Sequence, residues 1–124
     1  MKSRKDGFSL DKFNLLDDIY QFLNEIEANY AETASVITIG ESFEGKPLKV
    51  VKITKNENNP AIFIEANIHA REWISSATAI WIINEILTTT DATVREIIDE
   101  VTWYILPVTN PDGANYKADL IVKI

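Results

Sequence analysis

The feature that most constrains this chain is one passage between residues 60 and 87. Pro60 opens the apolar run Ala61-Ile62-Phe63-Ile64-Glu65-Ala66-Asn67-Ile68, and a helical stretch from Glu72 to Leu87 follows almost at once. Apolar residues occupy both parities of the run. It therefore reads as a mostly buried central strand, because alternation disappears where both faces of a sheet are covered. Such a strand needs helices over it. The second stretch offers one, with Trp73, Ala77, Ile80, Trp81 and Leu87 forming most of an apolar face. Together they predict an α/β layered sheet.

The flanking sequence fits that frame. Asn14 is placed to cap a helix in which Leu16, Ile19, Leu23, Ile26 and Tyr30 recur at steps of three and four, with Asp17 and Asp18 in its first turn. Ala34 to Ser42 and Pro47 to Thr54 are β-branched-rich runs joined by Phe43-Glu44-Gly45-Lys46, and Gly45 suits a turn that needs positive φ. They read as a hairpin. After the polar pause from Lys55 to Pro60 and the two elements above, Thr90 or Asp91 caps a short helix carrying Val94, Ile97, Ile98 and Val101. Thr102 to Val108 is a fourth strand, closed by Pro107 and a turn at Asn110-Pro111-Asp112-Gly113. Glu65 suits a sheet edge facing solvent or a paired position, and Trp73, Trp81 and Trp103 suit core or helix-to-sheet packing.

Charge and composition remove several function classes. Twelve basic against 19 acidic residues leave a net charge of −7, the wrong sign for neutralising nucleic-acid phosphates or an anionic membrane surface. The absence of cysteine excludes disulfides and thiolate metal sites, and the single histidine limits any metal chemistry to one imidazole plus carboxylates, water or another chain. The opening Met1-Lys2-Ser3-Arg4-Lys5-Asp6-Gly7 runs into mixed sequence rather than the apolar core of a secretory leader. The strongly apolar stretch from Ile74 to Ile83 is too short to span a bilayer.

The chemistry-bearing candidates are His69 and Glu72, in Asn67-Ile68-His69-Ala70-Arg71-Glu72-Trp73. They fall where a strand ends and a helix begins, at the carboxyl edge of a sheet where open α/β folds bind ligands. Histidine and glutamate three apart suit a divalent cation such as zinc. A hydrogen-bonded histidine in a turn and a dipole-favoured glutamate in a first helical turn explain the same spacing. Arg71 reads first as a solvated ion-pair partner or a carbonyl cap, with a functional contact as the alternative.

At four places the wording resembles the N-terminal part of a zinc carboxypeptidase of the carboxypeptidase A/B family. These are Leu16-Asp17-Asp18-Ile19-Tyr20, the hairpin Ile39-Gly40-Glu41-Ser42-Phe43-Glu44-Gly45-Lys46-Pro47-Leu48, the motif Ile68-His69-Ala70-Arg71-Glu72-Trp73-Ile74, and Pro107-Val108-Thr109-Asn110-Pro111-Asp112-Gly113. The resemblance implies an α/β fold with a partial mixed β-sheet covered by helices. It spans residues 9–113, after a polar lead at 1–8 and before a divergent tail at 114–124. It makes His69 and Glu72 two of three ligands to one zinc ion, and Arg71 a substrate-contacting cation. Two histidines and a glutamate with an open fourth position form a known ligand set of such enzymes. The family hydrolyses the C-terminal peptide bond of peptides and proteins with a zinc-bound water, and its secreted members imply an extracellular setting, against a cytoplasmic one if the chain is translated as it stands.

The resemblance also sets a limit. The family's third ligand, its general-base glutamate, its carboxylate-binding arginines and its tyrosine lie further downstream, so no catalytic residue is expected in these 124 residues. The expectation is a chain that is inactive alone, with incompletely ligated zinc. The alternative is a non-catalytic module that binds a peptide or partner. An exposed sheet edge is expected to favour self-association.

Overall fold

The computed structural model describes residues 16–68 and 73–113. In chain order the elements are α1 (Leu16–Asn29), β1 (Ala34–Glu41), β2 (Pro47–Ile53), β3 (Ala61–Glu65), α2 (Trp73–Thr88), α3 (Ala92–Asp99) and β4 (Thr102–Leu106). The four strands form one mixed sheet in the order β1-β2-β4-β3. β1 pairs antiparallel with β2 and β2 with β4, whereas β3 runs parallel to β4.

The sheet register explains the core. Val36, Val51, Ile105 and Ile64 lie in one row across the four strands, with Ala34, Ile53, Trp103 and Ile62 beside it. Onto this face α1 packs Ile19, Phe22, Leu23 and Ile26, and α2 packs Ala79, Ile80, Ile83 and Ile86. Burying such side chains stabilises by roughly 1.5–3 kcal/mol each relative to exposure. The opposite face carries Ile37 and Phe63, both exposed, beside the buried Val50 and Leu106.

The helix at the start, the hairpin and the α/β layering match the sequence reading, and three local expectations need correction. β3 is an edge strand of the described sheet, not a central one: four of its five residues are exposed, Ile62 and Phe63 among them, and only Ile64 leans on the core. Apolar residues at both parities report what a strand is suited to meet, not its place in the sheet. In α2 the inward stripe runs through Ser76, Ala79, Ile80, Ile83 and Ile86, which leaves Trp81 42% exposed. The stretch from Asn110 to Gly113 is a helix start rather than a turn, since residues 111–113 are helical and Asn110 Oδ1 accepts from Gly113 N at 3.0 Å. Asparagine at the cap, followed by proline at the first helical position, satisfies one free N–H and wastes none. A side chain on Gly113 would meet the Asn110 amide at 2.6 Å, which accounts for the glycine.

Other local signals act as read. Gly45 takes φ 82° in the hairpin turn. Asp91, rather than Thr90, caps α3 by accepting from Thr93 N and Val94 N at 3.0 and 3.1 Å. Glu65 is exposed at the open edge, and Trp103 packs on the core and donates to Ile98 O at 3.1 Å. Asn14 and the side chain of Trp73 lie outside what is described.

Candidate metal site at the end of the third strand

Because β3 and β4 are parallel, their carboxyl ends lie side by side. The pairing continues past the strands: Ala66 N donates to Leu106 O, Thr109 N to Ala66 O, and Asn110 N to Asn67 O, at 2.9–3.2 Å. The chain leaves this edge through Asn67, which is buried and takes φ 59°, the left-handed region that asparagine enters more readily than other non-glycine residues.

Side chains hold the exit on several sides. Asn67 N donates to Ser75 Oγ at 2.7 Å, and Asn67 Nδ2 donates to Ser76 Oγ at 2.9 Å. Ser76 Oγ in turn donates to Pro107 O at 2.7 Å, and Asn110 Nδ2 donates to Ile68 O at 3.2 Å. Asn67 Oδ1 and Thr109 Oγ1 are buried without a hydrogen-bond partner.

The sequence-predicted site residues His69, Arg71 and Glu72 lie outside the described residues. What the structure places is their two flanks, residues 67–68 at the end of β3 and 73–76 at the start of α2. Among the described residues no group of three or more His, Cys, Asp or Glu side chains could hold a metal. Sequence reading missed Asn67, Ser75 and Ser76; the available signal was an asparagine between a strand and a helix, where positive φ is often required.

Asp112 has a structural task. Its carboxylate accepts from Ser42 Oγ at 2.6 Å and Glu44 N at 3.1 Å, with Lys46 Nζ at 3.8 Å. The Ser42 hydrogen bond is the largest cause holding its pKa below the ordinary aspartate value, followed by the Glu44 N–H and the Lys46 charge against an opposing desolvation. It therefore fastens the β1–β2 turn to the helix start at Asn110. Tyr20 donates to Pro47 O, and burial, then the charges of Asp112 and Asp17, push its phenol up to about 12. A cleft of about 210 Å³ lies at the other end of the sheet, between Tyr30, Ile86, Arg95 and Trp103. Its cations Lys55 and Arg95 both pair with Asp99.

The comparisons decide the lineage. A model of the zinc carboxypeptidase family matches residues 19–121. This chain belongs to that family. A zinc carboxypeptidase of Simulium vittatum is 40% identical over 105 residues, covering 85% of this chain and 34% of its own length. Among solved structures, thrombin-activatable fibrinolysis inhibitor superimposes with a TM-score of 0.82 at 32% identity over 86% of this chain and 28% of that one. Carboxypeptidase A from Helicoverpa armigera gives 0.83 at 25% identity over 95% of this chain and 29% of that one. The chain thus spans about a third of the length of the curated relative from Simulium. The family is one of zinc-dependent hydrolases, metalloproteases of the carboxypeptidase type, and the mixed sheet with its helices corresponds to the N-terminal part of their fold. Among the described residues no helix is long and apolar enough to cross a membrane.

Proposed function

We propose that this chain forms the N-terminal portion of a zinc metallocarboxypeptidase active site, with His69 and Glu72 as two of three metal ligands and Arg71 as a substrate-contacting cation. The observation that supports this is the strand exit at Asn67. It opens at the carboxyl edge of the parallel β3–β4 pair, the place where a sheet of this kind presents ligand-binding groups. The donor set fits zinc in kind, an imidazole and a carboxylate, and falls one protein ligand short of a catalytic site.

Zinc, when bound, supplies a Lewis acid. The chain's own part is narrower. His69 and Glu72 would hold the ion and Arg71 would offer a charge to a peptide carboxylate or carbonyl, while the resemblance puts the family's proton-accepting glutamate further downstream. A polypeptide of this sequence alone is therefore inactive. The whole enzyme's substrate is a free peptide C-terminus, and its setting is extracellular, both by family resemblance.

Zinc titration of the purified chain by calorimetry tests the ligand assignment. Weak one-to-one binding is expected, and it should disappear in H69A and in E72A. Binding that survives both substitutions overturns the assignment. Metal-dependent turnover of a peptide with a free C-terminus would overturn the inactivity.

A second reading rests on the open edge of β3. Ile62 and Phe63 are exposed there, and Ile74 and Trp81 are exposed on α2. An edge of this kind takes up another strand, from a second copy or from an extended peptide. On that reading the isolated chain self-associates or binds peptide without metal, and a monodisperse monomer at high concentration with no affinity for extended peptides would rule it out.

A further inference from the structure

We propose that the carboxyl ends of β3 and β4 enclose a site for one internal water molecule, held between Asn67 Oδ1 and Thr109 Oγ1. Both oxygens are buried without a hydrogen-bond partner, and Asn67 as a whole is only 5% exposed. The two residues are neighbours across the strand ends, since Thr109 N donates to Ala66 O at 2.9 Å and Asn110 N to Asn67 O at 3.2 Å. Neither is a proposed metal ligand, so the site stands apart from the assignment of His69 and Glu72.

The donors around these oxygens are committed elsewhere. Asn67 gives its N–H to Ser75 Oγ and its Nδ2 to Ser76 Oγ, and Ser76 gives its one hydroxyl hydrogen to Pro107 O. That chain of bonds fixes the amide with Nδ2 toward Ser76, so Oδ1 must find its donor on another side. Ala66, Thr109 and Asn110 spend their N–H groups on Leu106 O, Ala66 O and Asn67 O, and the Asn110 amide donates to Ile68 O. Pro107 and Pro111 have no N–H to offer. Of these groups the Thr109 hydroxyl is the one with no partner. A water placed between the two oxygens accepts from Thr109 Oγ1 and donates to Asn67 Oδ1, which satisfies both at once. A carbonyl oxygen accepts two hydrogen bonds, so Ala66 O or Asn67 O, beyond the bond each already takes, can receive the water's second hydrogen. About three hydrogen bonds to buried polar groups is the usual complement of an internal water. A bound cation would need countercharge, and Ala66, Asn67, Ser76 and residues 107–111 include no charged side chain. The water ties Thr109 to Asn67 at the point where the chain turns through φ 59°.

The experiment has two arms, both on the 124-residue chain. A crystal structure should show one density peak at about 2.5–3.0 Å from both Asn67 Oδ1 and Thr109 Oγ1. In solution, oxygen-17 relaxation dispersion counts long-lived internal waters. T109V, which removes the hydroxyl at nearly constant shape, should lower that count by one, while T109S keeps the hydroxyl and should leave it unchanged. No peak between the two oxygens, or direct contact between them, would overturn the proposal. So would a peak ringed by six or more oxygens at about 2.3–2.6 Å, the mark of a metal ion. An equal water count in T109V, or a count that falls as far in T109S, would overturn it as well, because the hydroxyl would not be what holds the water. Should T109V not fold, the density between the two oxygens decides alone. Failure of the chain to bind zinc leaves the water site untouched, so the two proposals fail separately.

Discussion

The sheet has two edges, and they are built differently. β1 is closed off: Val36 N–H is taken by the Glu27 carboxylate at 2.8 Å, the register shifts between Thr38 and Gly40, and the turn beyond is fastened by Asp112. Side-chain caps, irregularities and covering loops are the means by which natural sheets discourage further pairing. β3 has Pro60 before it and Glu65 at its end, but between them Ile62 and Phe63 are exposed. The lesson is that one edge of a sheet can be finished by caps and irregularities while the other keeps apolar side chains exposed.

Three substitutions would break or sharpen that contrast. The largest effect on stability is expected at D112N, which loosens the β1–β2 turn from the helix start at Asn110 and should lower the melting midpoint at neutral pH. Because the folded-state pKa of Asp112 is depressed, its contribution is present above the ordinary aspartate value of 3.8 and is lost as pH falls through the lower folded value. Melting curves of the two proteins should therefore converge in acid, and a gap that persists or widens there would refute the carboxylate's role. Next is E27A, which frees Val36 N–H at a cost of about 0.5–1.5 kcal/mol and makes β1 more like β3. Denaturant titration reads the cost, and sedimentation should show more association than in the parent. The smallest stability change, within about 0.5 kcal/mol, is expected for F63K at the exposed edge. Its effect should lie in association instead, with a larger monomer fraction in sedimentation. Unchanged association would show that the β3 edge is not the contact.

What was legible in the sequence was local. The stripe Leu16, Ile19, Leu23 and Ile26 announces the buried face of α1, Gly45 the hairpin turn, and Thr90 or Asp91 a cap for α3, of which the structure uses Asp91. Each depends on neighbours within a few residues. The place of β3 was not legible, because strand order is set by which distant strand takes each edge: β4 inserts between β2 and β3 after two helices. The inward place expected of Trp81 fails because apolar residues surround α2, and only the sheet beneath selects Ile80, Ile83 and Ile86 as the buried face. The hydrogen bonds at Asn67 join residues eight and nine apart and then reach the Pro107 carbonyl just past β4. No periodicity carries that information. The family resemblance of residues 68–74 is legible in their wording, and the stretch lies partly outside the described residues.

The parallel ladder between β3 and β4 also has a consequence in time. The β1–β2 hairpin joins residues close in sequence, so its closure loses little chain entropy, while β3 reaches β4 only across both α2 and α3. Once formed, β3 is held by one neighbouring strand among the described residues, and of its side chains only Ile64 packs against the core they form. Amide exchange should therefore be faster along Ala61–Glu65 than in β2 and β4, the two strands paired on both sides. The strand that leads to Asn67 is the one expected to open first.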